Sequence, residues 1–161
     1  MVAVIGTRLD SPSEEETREA LRVQMNGRDA DPPHYYFAVT LRSTGTLIGV
    51  CALLIRYDEL RHGELLYVLN RPYWGQGYAT EAARALLGLG FSELDLHRIY
   101  ATCRPANVAS WRVMEKLGMR REGHLVQHRW MKGRWQDSLL YAILDHEWQA
   151  LGRGAQPPSE R

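Results

Sequence analysis

The residues with the most chemistry in them form the run Tyr73-Trp74-Gly75-Gln76-Gly77-Tyr78-Ala79-Thr80-Glu81-Ala82, a glycine-rich turn between a strand-like and a helix-like stretch. Small residues there let another group approach the backbone. The free N–H groups of a first helical turn then point at it with the positive end of the helix dipole. The chemistry that suits this pattern is anion binding, with phosphate foremost; the alternative is a tight turn with no ligand. Two familiar phosphate loops fail on the letters. A Walker A loop ends in Gly-Lys-Ser/Thr, and no lysine is near. A dinucleotide fingerprint needs Gly or Ala where Thr80 stands, together with an early strand and an acidic ribose partner that are not found.

Other candidates carry less. His124 and His128 are four apart, a metal-ligand spacing on a helix, but their segment reads as strand without a carboxylate pattern. Lining of the core or of a groove is the better reading, and no metal is expected. Trp130, Trp135, Tyr141 and Trp148 read as packing on a sheet, with an aromatic-lined groove as the alternative. Arg112 and Lys116, four apart, either meet a phosphate or form a solvated helix face, the simpler reading. Asp137 either binds a cation or closes a hairpin.

These residues must be positioned by one domain, because 161 residues, 45% hydrophobic and 24% charged, make one core. Twenty Lys plus Arg against 19 Asp plus Glu leave a charge of +1, so nothing points to nucleic acid. The longest apolar run, Leu47 to Ile55, has nine residues, far short of the ~20 of a membrane span. Met1 to Gly6 is apolar without a charged flank, so no secretory signal is read there and a cytoplasmic protein is expected. Cys51 and Cys103 sit in apolar strand-like stretches, which predicts buried free thiols.

Ser11-Pro12-Ser13-Glu14 reads as a capped start and Asn26-Gly27 as a stop, predicting a helix over about residues 12–26. Strands are predicted over 35–41 and 46–57 around a Ser43-Thr44-Gly45 turn, and over 64–69. From Ala79, the positions Ala82, Ala83, Leu86, Leu87, Leu89 and Gly90 recur at helical spacing. A strand over 98–103, a helix over 107–117 ended by Gly118, and a hairpin of 119–131 and 135–144 around Lys132-Gly133-Arg134 complete the domain. Residues 151–161, rich in Gly, Pro and polar side chains, read as a disordered tail. The order predicts an α/β or α+β domain on one mixed sheet.

Several spaced motifs then point one way: Gln76-Gly77-Tyr78-Ala79-Thr80-Glu81-Ala82, Leu96-His97-Arg98-Ile99, Asn107-Val108-Ala109-Ser110, Glu115-Lys116-Leu117-Gly118-Met119, Glu122-Gly123 and Trp135-Gln136-Asp137. Together, over about residues 35 to 148, they resemble the GNAT superfamily of acetyl-CoA-dependent N-acetyltransferases. The likeness is strongest to its RimJ/RimL-like branch, which acetylates the N-terminal amines of ribosomal proteins. The resemblance implies a mixed, mostly antiparallel sheet flanked by helices and splayed between its fourth and fifth strands, 64–69 and 98–103. It implies that Val68 and Leu69 pair with the pantetheine of acetyl-CoA and that the amides of Gln76, Gly77, Tyr78, Ala79 and Thr80 hold the pyrophosphate. Asn107 falls on a pantetheine-contacting position and Ser110 beside the thioester sulfur. Two departures stand out. Trp74 replaces a frequent Gln or Arg, though aromatics occur there in this branch, and the front end is short, with 34 residues before the strand at Tyr35.

With a thioester as donor, only a neutral amine attacks. An α-amine near 7.8 is about 10–15% neutral at pH 7, a lysine amine well under 0.1%. By the resemblance Glu64 is the candidate base, against an exposed carboxylate at a strand end; Ser110 assists the departing thiolate, against an ordinary helix-start serine. No covalent enzyme intermediate is required. The expected activity is acetyl transfer to a protein or peptide N-terminal α-amine. The alternatives are a small amine (polyamine, amino acid or aminoglycoside) or a non-catalytic acyl-CoA-binding module. A short front end implies an open groove and uncovered apolar surface, hence a possible homodimer.

Overall fold

The computed structural model describes residues 2–4 and 34–154. Among the described residues seven strands make one sheet: β1 (Val2–Val4), β2 (His34–Leu41), β3 (Leu47–Tyr57), β4 (His62–Leu69), β5 (Arg98–Cys103), β6 (Arg120–Met131) and β7 (Arg134–Leu144). Their spatial order is β1-β2-β3-β4-β5-β7-β6, antiparallel except for the parallel β4/β5 pair. Among the described residues the helices are α1 (Tyr78–Ser92), α2 (Val108–Lys116) and α3 (Asp145–Gly154).

The strands alternate as a one-sided core requires. Leu65, Tyr67 and Leu69 of β4 face the cluster that α1 and α2 cover, while Glu64, Leu66 and Val68 face the opposite side. The helical spacing of Ala82, Ala83, Leu86, Leu87 and Gly90 becomes the buried stripe of α1. At the end of α2 the Gly118 N–H reaches the Glu115 carbonyl at 2.9 Å and the Met119 N–H the Met114 carbonyl at 3.0 Å, a double C-terminal closure. Gly118 has φ +82°, a left-handed conformation that selects glycine, and the space a Cβ would take is filled by the movable end of the Leu151 side chain.

The parallel pair decides where the site lies. β4 and β5 are in register only through His62↔Arg98, Gly63↔Ile99 and Glu64↔Tyr100. Beyond Glu64, β4 stays with β3 and β5 with β7, and a gap opens between 65–69 and 101–103. This is the expected splay.

Some readings need correction. The chain does not become irregular at Leu151: α3 continues to Gly154, its Trp148 packing on Phe91 with ring centroids 6.1 Å apart. Its apolar stripe is short, Leu144, Trp148 and Leu151, and glycines at 152 and 154 lower its propensity. Trp130 and Trp135 do not pack on the sheet; they are 59% and 54% exposed and meet each other edge to face at 5.4 Å. Residues 155–161 and the helix expected over 12–26 lie outside the described residues.

Candidate acyl-transfer site

The gap between β4 and β5 opens into a cleft of about 410 Å³, within the range of small-molecule sites. Its walls are Tyr67, Val68 and Leu69 of β4, Tyr73, Trp74, Gly75 and Gly77 of the loop, the first turn of α1, and Asn107 with the α2 residues that face it.

The loop is shaped by backbone. Gly75 and Gly77 have φ +74° and +86°, and a Cβ at either would meet nothing within 4 Å, so left-handed geometry rather than packing selects glycine. Gly77 is the N-cap of α1 and supplies no side-chain acceptor, which leaves the first-turn N–H groups without a capping side chain. Neighbours brace the loop: the Trp74 indole N–H donates to the Leu69 carbonyl at 2.6 Å and the Gln76 amide to the Pro72 carbonyl at 3.0 Å. Of the predicted cofactor residues, Val68, Leu69, Gly77, Tyr78, Ala79, Thr80 and Asn107 line the cleft. The Gln76 side chain does not, being turned back onto the Pro72 carbonyl; the group expected at the pyrophosphate is its backbone N–H, at the turn just before α1. Arg112 and Lys116, read above as a solvated face, line the cleft instead.

Asn107 caps α2, its Oδ1 accepting the Ser110 N–H at 3.3 Å. Ser110 does not cap a backbone group with its hydroxyl. That hydroxyl shares a hydrogen bond with the Tyr67 phenol at 3.1 Å, and the same phenol donates to the Ser110 carbonyl at 2.8 Å. Burial pushes Tyr67 up to about 12 against the lowering effect of the Ser110 bond, so the phenol stays a neutral donor. Cys103, hydrogen-bonded to Ser110 as well, is also raised by burial, which keeps it a thiol. Tyr67 was not singled out from sequence. The available signal was a phenol on the core face of β4 between Leu65 and Leu69, where a hydroxyl needs a partner.

Glu64 is not an exposed strand-end carboxylate. It is 6% exposed and lies at the last β4/β5 pair, where the strands part. Its Oε2 accepts from Arg56 Nε at 2.8 Å and Nη2 at 2.7 Å, and its Oε1 faces Arg129 Nη2 at 3.5 Å. Arg129 Nη2 also donates to Thr102 Oγ1 on β5 at 2.8 Å, so one guanidinium spans the mouth of the gap on the face opposite α1 and α2.

A bulge brings Arg129 there. The β6/β7 register shifts between Leu125 and Arg129, with Gln127 at φ +49°. Asp137 holds the distortion: its Oδ1 accepts the Gln127 N–H at 2.9 Å and its Oδ2 contacts His124 Nε2 at 2.6 Å. These bonds keep its carboxyl below the usual value. Asp137 therefore shapes the β6/β7 hairpin, and His124 and His128 take Asp137 and Ser138 as partners.

Comparison with known proteins agrees with this architecture. The family model described as "Acetyltransferase (GNAT) domain" matches residues 3–120. The chain is 46% identical over 112 residues to YnaD of Bacillus subtilis, an uncharacterised N-acetyltransferase, covering 70% of this chain and 65% of YnaD. It is 28% identical over 106 residues to a spermidine N(1)-acetyltransferase of Escherichia coli, covering 63% and 57% respectively. The matched part thus spans less than two thirds of either relative. A GNAT-family acetyltransferase structure from Bacillus anthracis superposes with a TM-score of 0.76 at 34% identity, covering 90% of this chain and 95% of that one. With a splayed sheet, an uncapped helix start beside the gap and a family model matched over most of its length, the chain belongs to the GNAT acetyltransferase family.

Proposed function

We propose that the protein is an acetyl-CoA-dependent N-acetyltransferase acting on a primary amine. One observation carries the reading: β4 and β5 part to leave a cleft with the uncapped first turn of α1 at one wall and the Ser110 hydroxyl at the other. The pyrophosphate of acetyl-CoA would lie on the N–H groups of residues 77–80, where charge and donors match. Arg112 and Lys116 on α2 supply cations for its phosphates.

The amine nitrogen attacks the thioester carbonyl, a C–N bond forms, the C–S bond breaks, and the nitrogen loses one proton while the thiolate gains one. Ser110 stabilises that thiolate by hydrogen bonding, and Tyr67 fixes the serine; direct attack needs no acyl-enzyme. Glu64 enters as a positioning residue rather than a direct base, since two arginines engage its oxygens. Deprotonation then falls to the acceptor's own equilibrium, which favours an α-amine over a lysine amine. That agrees with the sequence-level likeness to the RimJ/RimL-like branch and with a protein or peptide N-terminus as acceptor. The relative named as a spermidine enzyme supports the second reading, a polyamine acceptor, which the two arginines on the acceptor face oppose. Cytoplasmic residence and a homodimer complete the proposal, the latter because Val126, Trp130, Met131 and Trp135 leave apolar surface exposed on β6 and its hairpin.

Release of free thiol from acetyl-CoA across a panel of peptides and small amines tests the reading. Acceptor-dependent release is expected. Cofactor binding without release to any amine would leave the non-catalytic acyl-CoA-binding module.

A further inference from the structure

The cleft occupies the side of the gap covered by α1 and α2, which leaves the opposite face, where the buried Glu64 carboxylate lies under its two arginines, for an acceptor to approach the thioester. On that face Glu64 is held by Arg56 from β3 and Arg129 from β6. The carboxylate side chain is 7% exposed, whereas the two guanidinium-bearing side chains are 40% and 45% exposed. Two cations against one buried anion leave a surplus positive charge, and it is presented outward. Each guanidinium has five N–H donors. Arg56 directs two of its nitrogens at Glu64, and Arg129 uses one nitrogen for Glu64 and Thr102 together, so donors are left over on both.

This arrangement is built rather than incidental. Arg129 crosses β7 and β5 to reach β4 from the end of the bulge pinned by Asp137. A guanidinium fork held in place with spare donors is suited to a carboxylate. The same charge disfavours an ammonium group relative to a neutral amine and repels a polycation.

We infer that Arg56 and Arg129 form an anion-recognition site for the acceptor, which carries a carboxylate close to the amine that is acetylated. The inference rests on the acetyl-transfer reading and narrows it. Two sources share this chemistry, a free α-amino acid and a peptide N-terminus with an acidic residue next to it.

The test uses the full chain with acetyl-CoA and matched acceptor pairs: an equimolar amino-acid mixture against the corresponding amides, and a peptide with Asp at its second position against the same peptide with Asn. Spermidine is the cationic control. At least a tenfold preference in kcat/KM for the carboxylate member of one pair is expected, and the pair that shows it names the source. Arg129→Gln should reduce the preference to about threefold or less by raising the acceptor KM while leaving the acetyl-CoA KM unchanged, and Arg129→Lys should restore part of it. Equal use of both members in both pairs, preference for spermidine, or an undiminished preference in Arg129→Gln that melts like the wild type would overturn the inference while transfer itself stands. No thiol release with any acceptor would overturn the transfer reading and this inference with it.

Discussion

The phenol of Tyr67 on β4 donates to the Ser110 carbonyl at 2.8 Å and lies 3.1 Å from the Ser110 hydroxyl, tying the strand to the first turn of α2 across the gap. A hydroxyl that must serve a leaving thiolate is thereby held by a second, half-buried hydroxyl.

If the pair acts as a unit, Ser110→Ala should lower kcat by roughly ten- to a thousandfold and Tyr67→Phe by roughly ten- to a hundredfold, with acetyl-CoA affinity little changed. The double variant should be no slower than Ser110→Ala alone, because coupled residues are not additive. Independent, multiplying losses would separate the two. Tyr67→Phe should also cost about 1 kcal/mol of stability for the lost hydrogen bond, read by chemical denaturation. Since burial pushes the Tyr67 phenol up to about 12, it should add no alkaline limb to the rate profile in the neutral range.

Glu64→Gln distinguishes positioning from basicity. Positioning predicts an acceptor KM raised about tenfold, kcat within about threefold, and an acid limb still set by the acceptor amine. A collapse of kcat with a displaced acid limb would make Glu64 the base after all.

The phosphate cradle predicts ligand stabilisation. Acetyl-CoA at a hundred times its Kd should stabilise the fold by about 2.7 kcal/mol, and pantetheine without phosphates by much less. Gly77→Val should abolish the difference, because φ +86° strains any β-branched residue. Equal thermal shifts from both ligands would remove phosphate from the account.

The bulge predicts a pH dependence. Asp137 lies below its ordinary value of 3.8, chiefly through the Gln127 N–H and secondarily through His124. A depressed carboxyl contributes stability above its unfolded value and loses it as pH falls through the lower folded value. The Gln127 amide resonance should therefore hold its position down to the ordinary carboxylate value and move only below it, and in Asp137→Asn it should no longer titrate. A wild-type amide indifferent to that range would contradict the pin.

Much of this was legible in the chain because it is local. The strand over 98–103 alternates plainly, Gly118 announces the end of α2, and Gly75 and Gly77 mark the turn whose conformation needs them. What was not legible depends on distance. Tyr67 meets Ser110 from 43 residues away and Arg129 meets Glu64 from 65 residues away, so neither pairing leaves a spacing to read. The bulge turns on Gln127, a residue type with no turn preference, held by an aspartate on the next strand. Glu64 was singled out by the family resemblance, at the start of the strand that leads into the glycine-rich loop, but its ion pairs depend on the sheet's order.

The central claim is that the gap between β4 and β5 is where acetyl-CoA delivers its acyl group. A crystal structure of the chain with coenzyme A tests it most directly. The account predicts the pyrophosphate on the N–H groups of residues 77–80, the pantetheine in the gap, and the sulfur within hydrogen-bond distance of Ser110 Oγ. Coenzyme A bound elsewhere, or with its sulfur out of reach of Ser110, would contradict it.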